Sequence, residues 1–327
     1  MRRPGLLALG LGTALVLETV IVHPAAIAGP PPASAKTRTL RGLLRENRIE
    51  AGALDPAELD RPITSAAVEN TDDLFVAAWY PDNGTPLLSD TLRIGALDKA
   101  AKTWMHATLP RRREAGGTSG PSWEIGSIEQ IHHSKGRIFL DTHGNPSAGT
   151  LLVLTRTLQP VAALHGWLLL LLPDDRALYE RSMIHFAPTH AAELWIYDAG
   201  SGRDARLYPV QPYAPTRLRY IETVRRVYAA LGEKWFRENN RLDDPEEFDS
   251  SILPPLVAGG RGTAVAFIVR LGSTGTLPGS TPPLDLVVVC EALSTAAPRC
   301  SETELQALRQ TDPGRSNRQL LVDAVAR

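Results

Sequence analysis

The chain has 327 residues, 43% of them apolar and 22% charged, with a formal net charge of −1. That length can bury a substantial core in one large or two ordinary domains, and the near-neutral balance excludes a nucleic-acid surface or a polybasic membrane patch. With 26 glycines and 26 prolines, a turn-rich, β-heavy chain is favoured.

The N-terminus reads as a targeting segment. Arg2 and Arg3 form a charged start, and Gly5 to Val22 is apolar apart from Thr13, Glu18 and Thr19. Ala26-Ile27-Ala28 and Ala33-Ser34-Ala35 both carry the small-x-small pattern of a cleavage site. Residues 1–28 are therefore expected to be a signal peptide and the mature protein to be extracytoplasmic, periplasmic or secreted. The alternative is an uncleaved N-terminal anchor, because this stretch approaches the length of a span. No membrane span is expected once the signal is removed. Residues 29–72 read as linker and adaptor: Pro30-Pro31-Pro32 is stiff, and Leu40, Leu43 and Leu44 make one face of a short helix with Arg41, Arg45 and Arg48 on its wet side.

Residues 73–210 read as repeats. Leu74–Trp79, Thr91–Asp98 and Thr103–Leu109 are strand candidates separated by turn formers. A second set follows: Arg137–Thr142, closed by His143-Gly144-Asn145-Pro146, then Thr150–Thr155, Val161–His165, and Trp167–Leu172 closing the unit before Pro173-Asp174-Asp175. The next unit begins at Ala177 and contains Glu193–Asp198 and Ala205–Tyr208. Leu151–Leu154 lies over Leu194–Tyr197 at an offset of 43 residues, within the period of a four-stranded propeller blade. Ile94 and Val153 are 59 apart, the excess lying mostly in the loop around Arg111–Arg113 and Gly116–Gly120. The tryptophans in or beside these strands, Trp79, Trp104, Trp167 and Trp195, are expected to fill gaps between blades.

In repeat length and strand order, Asp73 to Pro209 resembles β-propellers. That resemblance implies four-stranded blades that cover one another's apolar faces around a shared axis. The Gly-His and Trp-Asp pairs of WD40 units and the Kelch pattern are absent, so no family's functional residues carry over. The expected fold is mainly β, a propeller-like stack of four-stranded blades with one long amphipathic helix; the alternative is a β-sandwich.

The long helix is expected as an insertion in residues 211–250, from Thr216 to about Asn239. Its stripe is Leu218, Ile221, Val224, Val227, Leu231 and Trp235, and its wet face is basic. Residues 251–300 hold further strands, Ala264–Leu271 and Leu284–Val289, that close the domain. The Gly-rich loop between them lacks a Gly-Lys-Ser/Thr and opens no helix, so phosphate binding is unsupported. Residues 301–327 read as a C-terminal tail, with a short helix over Ser301–Arg309 capped by Ser301. Cys290 and Cys300 are the only cysteines, and in an exported chain the pair reads as a local disulfide.

Chemistry is sparsely marked. Asp141-x-His143 and His185 fall at similar places in successive repeats, and His190 follows closely. Converging on one opening, Asp141, His143, His185 and His190 would suit one divalent metal ion, although no HExxH or CxxC is present. No Gly-x-Ser-x-Gly elbow occurs, and the pairs Asp72-Asp73 and Asp174-Asp175 read as turn formers. Two functions follow. One is an exported β-repeat binding or scaffolding protein, with a contact surface on its rim for an unknown protein or small-molecule ligand. The alternative is a metal-assisted ester or lactone hydrolase, in which the ion would activate water.

Overall fold

The computed structural model describes residues 38–52, 54–84, 88–114, 121–145, 148–181, 193–209, 215–223 with 226 and 229, 250–272, 283–294 and 298–326. Among these, the strands form four four-stranded antiparallel sheets and one two-stranded ribbon. The first sheet is β1 (Ile63–Asn70), β2 (Leu74–Pro81), β3 (Thr91–Asp98) and β4 (Thr103–Pro110). The ribbon, β5 (Arg112–Arg113) and β6 (Trp123–Glu124), leads to the second sheet. That sheet is β7 (Ser127–His133), β8 (Arg137–Asn145), β9 (Ala148–Thr155) and β10 (Pro160–His165). The third is β11 (Trp167–Leu171), β12 (Arg176–Arg181), β13 (Glu193–Asp198) and β14 (Arg203–Tyr208). The fourth is β15 (Ser250–Gly259), β16 (Ala264–Leu271), β17 (Leu284–Glu291) and β18 (Arg299–Glu304).

Each sheet is a simple meander in which every strand pairs with its neighbour in sequence. Leu151–Leu154 and Leu194–Tyr197 lie in β9 and β13, the third strands of successive sheets, and Ile94 lies in β3, the third strand of the first. Four sheets of this kind are propeller-like rather than the two layers of a sandwich. The unit boundary differs from the expected one. Trp167–Leu171 opens the third sheet instead of closing the second, whose first strand is Ser127–His133. Gly166 makes the crossing between sheets at φ +147°, where a Cβ would collide with the Glu180 carbonyl oxygen. Only glycine fits so close a backbone approach.

Burial alternates along the central strands, but both faces are covered. In β2, Leu74, Val76, Ala78 and Tyr80 join a core shared with the second sheet, whereas Phe75, Ala77 and Trp79 face the other way. In β8, Ile138 and Leu140 pack toward the first sheet and Phe139 toward the third. In β12, Ala177 and Tyr179 meet the second sheet and Leu178 the fourth. The sheets thus stack in a row.

The ends of that row are covered by helices. On the outer face of the first sheet lie α1 (Leu40–Glu46) and α2 (Pro56–Leu59), whose Leu40, Leu43, Leu44 and Leu59 pack on Phe75, Ala77 and Trp79. The region read as linker and adaptor therefore holds a helical cap and the first strand. On the outer face of the fourth sheet lie α4 (Leu305–Thr311) and α5 (Asn317–Ala326), with Leu305, Leu320 and Leu321 buried against Val257, Ala266, Ile268 and Val287. Among the described residues no core cluster joins the first sheet to the fourth. The expected capped helix at Ser301 starts instead at Leu305, because Cys290 and Cys300 are disulfide-bonded cross-strand partners and keep Ser301 in β18.

A long amphipathic helix is not shown. Residues 215–223 are helical (α3), and most of the expected helix beyond them lies outside the described residues. Within α3 the buried face is Arg217, Tyr220 and Ile221, while Leu218 is 49% exposed. Arg217 turns inward because its Nη1 donates to Tyr208 Oη at 2.9 Å, and Tyr208 in turn donates to Glu302 Oε1 at 2.6 Å.

Polar bonds tie the turn between first and second strands of each sheet to that of the next. His133, at the end of β7, faces Glu69 Oε2 with Nδ1 at 2.8 Å and Asp73 Oδ1 with Nε2 at 3.1 Å. Ser134 Oγ donates to Asp175 Oδ1, as does the Gly136 amide at 3.2 Å. Arg176 Nη2 donates to the Gly262 carbonyl at 2.9 Å. The hydrogen bond to Glu69 raises the His133 pKa above its ordinary 6.5 against the effect of burial, helped by the charge of Glu69 and by Asp73. Burial acts to raise the Asp73 carboxyl, but hydrogen bonds from Thr71, His133 and Arg156 outweigh it and hold it at about 2.

The raised imidazole stabilises the fold fully below its unfolded value, and that contribution is lost as pH climbs through the folded pKa. The depressed Asp73 contributes above its unfolded value, and its share is lost as pH falls toward about 2. Asp73 is 54% exposed at its side chain, so screening reduces the total to about 1–2 kcal/mol. Urea unfolding of wild type and His133→Gln should differ by that amount between about pH 4.5 and 6 and converge at alkaline pH. A gap independent of pH would show that His133 is not charged in the fold.

Candidate functional site

A cavity of about 310 Å³ lies between the first helical cap and the outer face of the first sheet. The register places Trp79, Arg93 and Thr108 opposite one another across β2, β3 and β4, and places Ala77, Gly95 and His106 in the adjacent row. Strand neighbours in register share a face. The cap closes over Phe75, Leu97 and Trp104, whereas Trp79, Arg93, His106 and Thr108 border the cavity. Leu40 and Leu54 from the cap, with Trp79, make its apolar lining.

Its polar groups stand on opposing walls. On the sheet side, Arg93 Nη1 donates to Thr108 Oγ1 at 2.9 Å. Arg93 Nε is buried and has no hydrogen-bond partner among the described residues. His106 stacks on Trp104 with ring centroids 5.9 Å apart and planes 9° from parallel. Burial lowers its pKa, so the ring is neutral at pH 7. On the cap side are Asp55 and Glu58. Asp55 is the N-cap of α2, accepting from the Ala57 amide at 2.9 Å, and Glu58 Oε1 is 3.7 Å from Arg61 Nη1. No ion pair among the described residues joins either carboxylate to Arg93.

These positions escaped the sequence reading. Asp55-Pro56-Ala57-Glu58 carries a visible helix-start signal, with an N-cap aspartate, proline at the first position and glutamate at the third. Arg93 is the one charged residue within the apolar run Leu92–Leu97. Trp79 and Trp104, expected between blades, lie under the cap.

The expected metal residues are elsewhere. Asp141 and His143 both lie on β8 at the seam with the third sheet; His185 and His190 lie outside the described residues. Asp141 is 7% exposed, and its Oδ2 accepts from the Leu168 amide at 3.3 Å. Its Oδ1 is buried with no hydrogen-bond partner among the described residues. His143 stacks on Trp167 at 6.1 Å. Among the described residues no group of three or more His, Cys, Asp and Glu side chains is placed to hold a metal ion. One buried carboxyl, Asp141, marks this seam instead; a second, half-buried one, Glu180, sits on the face of β12 that Leu178 presents to the fourth sheet. Burial pushes Asp141 up to about 7, with the Leu168 amide opposing and Glu129 reinforcing, and burial alone pushes Glu180 up to about 7.

No family model matches the chain, and no curated protein matches it. Among solved structures it is similar to a prolyl endopeptidase at 16% identity and TM-score 0.31, covering 66% of this chain and 26% of that one. It is also similar to an α-L-arabinofuranosidase from Fusarium graminearum at 10% identity and TM-score 0.32, covering 78% and 68%. The WD40 domain of SCAP from fission yeast gives 11% identity and TM-score 0.24, covering 76% and 54%. Likeness this slight decides nothing about activity or substrate.

A carboxyl whose pKa is raised by folding binds its proton more tightly in the native state, so it costs stability as pH rises from its unfolded value toward the folded one. Asp141→Asn removes that cost. The variant should match wild type near pH 4 and exceed it by about 2–4 kcal/mol in urea unfolding above pH 7. Equal pH slopes in the two proteins would show that Asp141 is ionised in the fold.

Proposed function

We propose that the protein is an exported, non-enzymatic binding module whose ligand site is the cavity between α2 and the first sheet. The carrying observation is the pairing of an indole-floored cavity with a guanidinium whose one hydrogen bond among the described residues is to a neutral hydroxyl. A concave, partly apolar site with a few converging polar groups is the usual form of a small-molecule site. Such a site lies at the end of the row of sheets, not on the rim. Export is supported by the signal-like N-terminus and by the Cys290–Cys300 disulfide, a bond that persists in oxidising compartments. No helix among the described residues is long and apolar enough to cross a membrane.

The test is a ligand-observed NMR screen of small polar metabolites against wild type, Arg93→Met and His143→Ala. Hits lost or weakened at least tenfold in Arg93→Met place the site in this cavity. Hits that survive Arg93→Met and vanish in His143→Ala would move it to the seam of the second and third sheets and overturn the reading.

A further inference from the structure

We infer that the ligand is a small zwitterion with an apolar side chain, a free α-amino acid, its carboxylate on Arg93 and its ammonium toward Asp55 and Glu58. This rests on the reading of the cavity as the ligand site. The argument is electrostatic complementarity inside one small volume.

A cavity of about 310 Å³ holds a molecule of amino-acid size and not a folded segment of chain. Its two walls carry opposite charges that do not neutralise each other. Arg93 stands on the sheet, borders the cavity and has Thr108 as its hydrogen-bond partner. A guanidinium is matched by a carboxylate through charge-assisted hydrogen bonds. Facing it, Asp55 spends one oxygen on the Ala57 amide, and Glu58 forms only a part-exposed ion pair with Arg61 at 3.7 Å, too long for a hydrogen bond. The second oxygen of Asp55 and the carboxylate of Glu58 suit an ammonium.

Single charges fit badly. An anion on Arg93 meets two carboxylates across the cavity, and a cation beside them meets the guanidinium. Like charge across so short a space repels, so discrimination arises as much from the mismatched charge as from the matched one. The neutral imidazole of His106 adds no third charge. Leu40, Leu54 and the Trp79 ring supply an apolar lining for the side chain, which a purely polar zwitterion would leave unused.

The experiment is calorimetric titration of the folded protein with L-leucine, N-acetyl-L-leucine and L-leucinamide, which carry both charges, only the negative and only the positive one. L-leucine should bind with Kd between about 10 µM and 1 mM, and each single-charge analogue at least tenfold more weakly. Glu58→Gln should weaken L-leucine while strengthening N-acetyl-L-leucine, and Arg93→Met should weaken L-leucine while strengthening L-leucinamide. A variant that merely unfolds cannot gain affinity for one probe, so these opposite signs are the signature. N-acetyl-L-leucine binding as tightly as L-leucine, with both lost in Arg93→Met, would overturn the zwitterion and leave the cavity as an anion site. No binding of any probe at 10 mM (roughly −2.7 kcal/mol) would overturn the inference, while the metabolite screen judges the cavity separately.

Discussion

Phe75 and Val76 are neighbours in β2, point to opposite faces, and are both fully buried. A lone four-stranded meander cannot achieve that, since each face needs something apolar laid against it. The second and third sheets are covered on both sides by other sheets. Among the described residues the first and fourth have one neighbouring sheet each, and helices cover what remains. A closed ring would meet the same need by bringing first and last sheets together. Among the described residues it is met by short helices at the two ends of the row, so Leu40, Leu43 and Leu44 at one and Leu320 and Leu321 at the other have equivalent roles.

Apolar packing alone does not fix where one sheet sits along the next, because it has no direction. The turn-to-turn bonds do. Asp73 with His133, Ser134 and Gly136 with Asp175, and Arg176 with the Gly262 carbonyl form three links along one end of the row. Each is directed, and the links to Asp175 and to the Gly262 carbonyl are also partly or fully shielded from water, where hydrogen bonds are most sensitive to position. With both nitrogens on carboxylates, His133 has no lone pair left to act as a base. The ring belongs to the scaffold.

Much of the architecture was legible because strand periodicity and turn chemistry are local. The 43-residue offset linking Leu151–Leu154 to Leu194–Tyr197 needed nothing beyond spacing. The unit boundary was misread because Trp167–Leu171 looks like its predecessors, and what separates it is Gly166, whose conformation depends on contact with Glu180. Asp73 and Asp175 were readable as turn residues, but their partners lie 60 and 41 positions away, and no spacing rule reaches that far. The same holds for Arg217. Periodicity put Leu218 on the buried side, and a hydrogen bond to Tyr208 turned the helix by one residue.

The cavity follows from how unequal the two caps are. Helices α1 and α2 have seven and four residues and span about 10 and 6 Å, while the strands beneath them have eight and run about 27 Å. So short a cap leaves part of the first sheet's outer face bare. At the other end α4 and α5 have seven and ten residues, and the sheet under them offers Val257, Ala266, Ile268 and Val287. An apolar face left bare would invite association. Where α2 stops, the sheet presents Arg93, His106 and Thr108 instead, and the cap presents Asp55 and Glu58. Polar residues that only kept this patch soluble would need no particular arrangement. Here the charges are sorted by sign onto facing walls above a buried indole, an order that solubility does not require and on which the proposed ligand site rests.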